Sequence, residues 1–163
     1  MMPLTTRQGD AGWTRDAAGR RVSKDDVVIE AYGAIDELSC MLGWLGIACP
    51  EPERRMVVRW QAGVSEVLAG MCGGAGPAPD LVQVLEANIA HLLPEPPAGF
   101  VTPGGSEASC RAHLARDACR KAERRVVAAM GHECAAIPVL NRLSDALFAL
   151  AVSLDRPGSV PSG

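Results

Sequence analysis

Ser106-Glu107-Ala108-Ser109-Cys110-Arg111-Ala112-His113-Leu114-Ala115-Arg116-Asp117-Ala118-Cys119-Arg120-Lys121-Ala122-Glu123-Arg124-Arg125-Val126-Val127-Ala128-Ala129-Met130-Gly131 is the stretch that decides the fold. Ser106 reads as an N-cap, because its side-chain oxygen can satisfy an orphan N–H of the first turn. Glu107 sets negative charge at the positive end of the helix dipole. Gly131 is the stop, so one long helix is predicted to about Met130. Along it Arg116, Arg120 and Arg124 recur every fourth residue, so three guanidiniums climb one face with Glu123 beside them. Three like charges in line repel unless anions or carboxylates sit between them. Arginine also suits planar, bidentate contacts to phosphate. A solvated surface face and a polyphosphate-binding row are the two readings of that ladder.

Working outward, Pro138 can sit in the first turn of a last helix running to about Leu154. Upstream, Pro94–Gly105 is a proline- and glycine-rich loop, and Asp80 is a plausible N-cap for a shorter helix through Leu93. Gly73–Pro79 ends a helix from about Glu53 to Met71, and Cys49-Pro50-Glu51-Pro52 breaks the chain before it. From about Val27 to Ala48, Ile35, Leu38, Met41, Leu42 and Leu45 form one apolar stripe. Residues 3–26 are polar, contain glycine and lack an apolar period, so they are expected to be an extended arm. The predicted fold is all-α: a five-helix antiparallel bundle with an extended N-terminal arm, in a single domain. Its parts are an N-terminal arm at 1–26, the helical bundle at 27–155 and a flexible tail at 156–163.

Composition agrees with this. The chain has 163 residues, and about 100–200 residues per domain is usual. Hydrophobic residues make up 48% but aromatics only 4%, so small and aliphatic side chains must fill the interior, as close-packed helices allow. A net charge of −3 gives no reason to expect nucleic acid, while the local run Arg111–Arg125 points to a small anionic ligand. No signal sequence opens the chain and no apolar run reaches the roughly 18 residues of a membrane span, so no membrane association and a cytoplasmic location are expected. The six cysteines have no zinc-ligand spacing and read as reduced, mostly buried thiols. His91, His113 and His132 lack metal-ligand spacing too, and no metal site is expected.

Three further motifs carry chemistry. Thr6-Arg7-Gln8-Gly9-Asp10-Ala11-Gly12-Trp13-Thr14, followed by Arg21-Val22-Ser23-Lys24-Asp25-Asp26, combines glycines that permit close backbone approach with donors suited to phosphate. A plain turn has the same look, and the absence of G-x-x-x-x-G-K-[ST] excludes an ordinary P-loop. In Leu140-Asn141-Arg142-Leu143-Ser144-Asp145, the leucines are core by spacing while Asn141 and Asp145 share a face; Asn141 either braces the bundle or binds a ligand. In Gly33-Ala34-Ile35-Asp36-Glu37-Leu38, adjacent carboxylates in an apolar helix need cations from the arginine ladder, in the same chain or a neighbouring subunit.

The order of these motifs, with Phe100-Val101-Thr102-Pro103-Gly104-Gly105 ahead of Arg116-x-x-x-Arg120-Lys121-x-Glu123-Arg124, resembles the PduO-type ATP:cob(I)alamin adenosyltransferases over about residues 4–152. The resemblance implies a homotrimer with ATP held between subunits and the arm folding over the nucleotide. It implies that Thr6, Arg7, Gly9, Asp10, Gly12, Thr14 and Lys24 shape the ATP site, completed by Arg116, Arg120, Glu123 and Asn141. Asp36 matches the carboxylate that pairs across the subunit interface with Arg116. Phe100 matches the aromatic beneath the corrin that keeps the lower axial ligand off. Displacing that ligand makes cobalt(I) reachable by reduction of cobalt(II); cobalt(I) then attacks C5′ of ATP and expels triphosphate, met by Arg116, Arg120, Lys24 and Mg²⁺. ATP, Mg²⁺ and cobalamin as substrate are therefore implied, with a flavin reductase and an adenosylcobalamin-dependent enzyme as partners. Gln8 and Trp13 stand where the family usually has Thr. Ser39 replaces an Asn, Lys121 an Arg, Thr102 an aliphatic residue and Val152 an Arg. These departures leave a second reading: a family member that binds a corrinoid, another tetrapyrrole or a nucleotide as carrier or sensor without turnover.

Overall fold

A computed structural model of the chain describes residues 5–155. The expected flexible tail at 156–163 lies outside those residues. Within them the order is β1 (Trp13–Arg15), β2 (Arg21–Ser23), α1 (Val27–Ala48), α2 (Glu53–Met71), α3 (Leu81–Leu92), α4 (Glu107–Met130) and α5 (Ala136–Leu154). Local signals account for most of the ends. The Asp26 carboxylate accepts from Val28 N–H at 2.9 Å to start α1. Ser106 Oγ accepts from Ser109 N–H at 3.1 Å to start α4, which stops where Gly131 adopts φ 80. Asp80 departs from expectation: it sits at the N-cap position of α3 but in a helical conformation (φ −92, ψ 0), from which its side chain caps nothing.

Contacts between helices fix their directions. Going up α4, Arg111, Lys121 and Arg125 meet Trp44, Glu37 and Glu30, going down α1. Ser109, Arg116 and Cys119 likewise meet Asp155, Phe148 and Leu140 of α5. Both pairs are antiparallel, and Gln61 donating to the Ser39 carbonyl at 2.9 Å sets α2 antiparallel to α1. The helix α4 is the central one. Its buried residues Ala108, Ala112, Ala115, Ala118 and Ala122 make a strip of small side chains against which α1 and α5 come close. Leucines supply the volume: Leu38, Leu42, Leu45, Leu140, Leu147 and Leu150 are fully buried. Trp60, 1% exposed, points its indole N–H to Asn88 Oδ1 at 3.0 Å, so the one large aromatic of the interior pins α2 to α3 without an unpaired donor.

Two expectations need correction. The arm is not simply extended: residues 13–23 form an antiparallel hairpin, pairing Trp13 with Ser23, Thr14 with Val22 and Arg15 with Arg21. The run Trp13-Thr14-Arg15 has no apolar alternation, so nothing in its pattern marks a strand; the turn does. Asp16 accepts from Arg20 N–H at 2.9 Å and from Arg20 Nε at 2.7 Å, and Gly19 takes φ 77 between them. Burial opposes the Asp16 charge, but the hydrogen bonds and charge of Arg20 outweigh it and hold the carboxyl below its usual range. Second, α5 is long and apolar enough to cross a membrane, although its sequence is interrupted by Arg142 and Asp145. Here it is the core helix of the bundle, packed against α3 and α4.

Candidate functional site

Two clusters gather the residues singled out in the sequence. The first is in the arm. Gly9 and Gly12 bracket a tight turn, with Gly12 N–H donating to the Gly9 carbonyl at 3.2 Å and Lys24 N–H to the Gly12 carbonyl at 2.9 Å. Gly12 takes φ 82 and Arg7 φ 57, both in the left-handed region, and Asp10 N–H donates back to the Arg7 carbonyl at 3.3 Å. The Lys24 ammonium lies against Gly9, so close that a Cβ there would sit 2.9 Å from Nζ. A cavity of about 510 Å³ opens beside this turn, lined by Thr6, Gln8, Gly9, Trp13, Thr14, Arg15 and Arg21. Cations and hydroxyls around a glycine turn suit an anion.

The arm cavity contains more than the sequence suggested. Arg15 and Arg21 face each other in register, and the Arg21 guanidinium lies 4.5 Å over the Trp13 ring. Trp13 is thus held by a cation rather than loose in the phosphate turn. A hairpin centred on Ala18 pairs these arginines, but the sequence offered no strand pattern to set that register. No hydrogen bond or ion pair between described residues ties residues 5–25 to the helices.

The second cluster runs along the α4–α5 seam. Asn141 Nδ2 donates to Glu123 Oε1 at 3.3 Å, bringing two of the predicted residues together. The Arg116 guanidinium lies 5.4 Å over the Phe148 ring, with its side chain one-third exposed. Arg120 and Arg124 are exposed, and neither makes a hydrogen bond or ion pair with a described residue. Lys121 and Arg125, on the neighbouring face, are neutralised by Glu37 and Glu30 of α1. The contrast separates structural cations from a free row. Asp145, on the same face of α5 as Asn141, pairs with Arg142 at 2.7 Å.

The Arg116 side also faces a cavity of about 550 Å³ between α3 and α5, mostly apolar, with Ile89, Leu93, Pro96 and Phe148 in its walls. The imidazole of His113 stands edge-on to Phe148 at 6.3 Å between ring centres. Its Nε2 is buried without a hydrogen-bond partner. Burial, and then the Arg116 charge, lower its pKa below the usual value, against the opposing pull of Asp155 and Asp117. In the sequence His113 has no metal-ligand spacing and Phe148 no distinguishing signal, so neither marked the site.

Two predicted residues stay apart from both clusters. Asp36 is exposed on α1 and has no bonded partner among the described residues; within one chain it does not meet Arg116. Phe100 is fully exposed on the 94–105 segment. The two cavities share no residue, so a single chain does not join the arm to the arginine row. Of the thiols, Cys119 is buried and donates to the Leu140 carbonyl at 3.1 Å, with its pKa raised by burial. Burial also pushes Cys49 up to about 11. Both are structural.

The family model for cobalamin adenosyltransferases matches residues 4–154. The chain belongs to the cobalamin adenosyltransferase family. It is 39% identical over 166 residues to the cobalamin adenosyltransferase of Cupriavidus metallidurans, covering 95% of this chain and 89% of that protein. It is 37% identical over 174 residues to the corrinoid adenosyltransferase PduO of Citrobacter freundii, covering 94% of this chain but 50% of that one. The chain therefore spans about half the length of the PduO relative. Its fold matches a variant PduO-type ATP:corrinoid adenosyltransferase from Lactobacillus reuteri complexed with cobalamin and ATP. That match has a TM-score of 0.82 and 26% identity, covering 94% of this chain and 93% of the other. A second variant of the Lactobacillus reuteri enzyme, complexed with ATP, matches with a TM-score of 0.80 at 26% identity, over 91% and 92% of the two chains. The adenosyltransferase family thus keeps this bundle at low sequence identity.

Proposed function

We propose that this adenosyltransferase moves the 5′-deoxyadenosyl group of ATP onto cob(I)alamin in a cleft between protomers, where the arm of one chain meets the arginine row of the next. The cobalt(I) electron pair forms the Co–C5′ bond while the C5′–O bond breaks, and triphosphate leaves carrying the displaced charge. Arg116 and Arg120, with Lys24 from the arm, meet that charge; Glu123 and Asn141 orient the nucleotide beside them. Thr6, Arg7, Gly9, Asp10, Gly12 and Thr14 shape the turn that closes on the phosphates. The observation that carries this reading is the unneutralised pair Arg120 and Arg124 beside the bonded Glu123–Asn141 pair, on a helix whose other cations are paired. A row of free guanidiniums calls for an anion.

An assembly supplies what one chain lacks. Asp36 of one protomer pairs with Arg116 of another: within one chain Asp36 has no bonded partner among the described residues, and Arg116 has only its neighbour Asp117 at 3.9 Å. The family resemblance makes that assembly a homotrimer. The apolar cavity under Arg116 suits the flat body of a corrin, and Phe100 covers its lower face so that the axial base stays off and cobalt(II) becomes reducible. Among the described residues no group of three or more His, Cys, Asp or Glu side chains could hold a metal. Mg²⁺ comes on the phosphates of the nucleotide, as part of the substrate, where it screens the triphosphate charge. A flavin reductase supplies the electron, an adenosylcobalamin-dependent enzyme takes the product, and the protein works in the cytoplasm.

Anaerobic incubation with ATP, Mg²⁺ and chemically reduced cobalamin tests the proposal. Formation of the cobalt–carbon bond changes the visible absorbance, and triphosphate appears in equal amount. ATP binding without either change would instead support a carrier or sensor. Sedimentation at several concentrations tests the trimer, and a persistent monomer would remove the shared cleft.

A further inference from the structure

The 94–105 segment that bears Phe100 makes almost no bonds of its own. Leu93 N–H donates to the Ile89 carbonyl at 2.9 Å, and from there to Gly105 no described residue enters a backbone or side-chain hydrogen bond. The first fixed point after Phe100 is Ser106, whose N–H donates to Asp155 Oδ1 at 2.9 Å. The other carboxylate oxygen, Oδ2, accepts from Ser109 Oγ at 2.7 Å. Asp155 closes α5, yet its carboxylate sits over the first turn of α4, where negative charge is favoured by the free N–H groups and the helix dipole. The approach is so close that Gly105, at φ 79, could carry no Cβ without striking that carboxylate.

We infer that Asp155 is a positioning residue for the reaction: by clamping Gly105, Ser106 and Ser109 it fixes where the Phe100 segment leaves α4, and so where Phe100 meets the corrin. This rests on the role proposed above for Phe100. The alternative is that Asp155 merely stabilises the start of α4. The two differ in one respect. A clamp acting through Phe100 affects only the step that Phe100 serves, the reduction of cobalt(II), and leaves the attack of cobalt(I) on ATP alone.

The experiment compares Asp155→Ala, Asp155→Asn, Phe100→Ala and the Asp155→Ala/Phe100→Ala pair. Each is assayed with cobalt(II) cobalamin under reductant and with cobalamin already reduced to cobalt(I), and ATP affinity is measured by calorimetry. Asp155→Ala is expected to slow the cobalt(II) reaction about tenfold while leaving the cobalt(I) rate and ATP affinity within about twofold. Asp155→Asn keeps an acceptor for Ser106 N–H and recovers most of the loss. The double variant is no slower than Phe100→Ala, because residues acting as a unit are not additive. Equal slowing with both cobalt states, or losses that multiply in the double variant, overturns the inference while leaving Phe100 its role. A Phe100→Ala variant with a normal cobalt(II) rate overturns both. If Asp155→Ala does not fold, Ser109→Ala removes one of the two carboxylate bonds, and the same split at smaller size is required of it.

Discussion

The arm and the α4–α5 seam are built by opposite means. The seam is held by tertiary burial: Leu140, Leu147 and Leu150 have no exposed surface, and Ala115 and Ala122 let the helices close on one another. The arm is held by its own short-range bonds, Asp16 to Arg20 across the hairpin turn and Lys24 to Gly12 at its base, with no bond to the helices. A bundle packed that way fixes the backbone that carries the arginine row. With no hydrogen bond or ion pair to the helices among the described residues, the arm is expected to open at lower cost than the seam. The difference teaches which half is scaffold and which half the proposed function requires to move.

Four measurements break or sharpen that contrast. The largest effect is expected in the seam's packing. Leu147→Ala should lower unfolding stability by about 2–5 kcal/mol, seen as a fall in denaturant midpoint. A loss under about 1 kcal/mol would mean that the seam is not the scaffold. Next, Arg116→Ala should cut kcat by about 10²–10³-fold, since it removes a donor aimed at the leaving charge, while thermal unfolding stays close to wild type. Near-normal turnover would return the arginine row to bulk solvent.

Smaller effects belong to the arm. Gly9→Ala places a methyl against the Lys24 ammonium and should weaken ATP binding about tenfold by calorimetry, with little change in unfolding temperature. A large stability loss would show that the arm is part of the packed body. The smallest effect is a pH slope. The folded pKa of His113 lies below its usual value, so the unfolded chain binds the proton more readily. The stabilisation is complete above about pH 6.5 and is lost as pH falls through the region between the unfolded and folded values. Between pH 7 and 5.5, wild type should therefore lose stability more steeply than His113→Leu; parallel curves would show that burial does not disfavour the charged imidazole.

The sequence alone determined the helices and their order. Asp26, Ser106 and Gly131 act within one turn of themselves, and the stripe through Ile35, Leu38, Met41, Leu42 and Leu45 needs only the helical period. The same local logic put Arg116, Arg120 and Arg124 on one face. It failed at Asp80, where the backbone turned helical before the side chain could cap. It also missed the hairpin, because β1 and β2 carry no alternating pattern and their register comes from a turn closed by Asp16 and Arg20. Only the tertiary structure decided which cations are spent: Lys121 and Arg125 meet carboxylates of a helix more than eighty residues away in the chain, and Arg120 and Arg124 do not. Only it could bring Asp155 onto the start of α4 or set Phe148 under Arg116. Caps and periods are properties of neighbours in sequence, whereas partnership of charges depends on which helix lies across the groove, and that is fixed by packing.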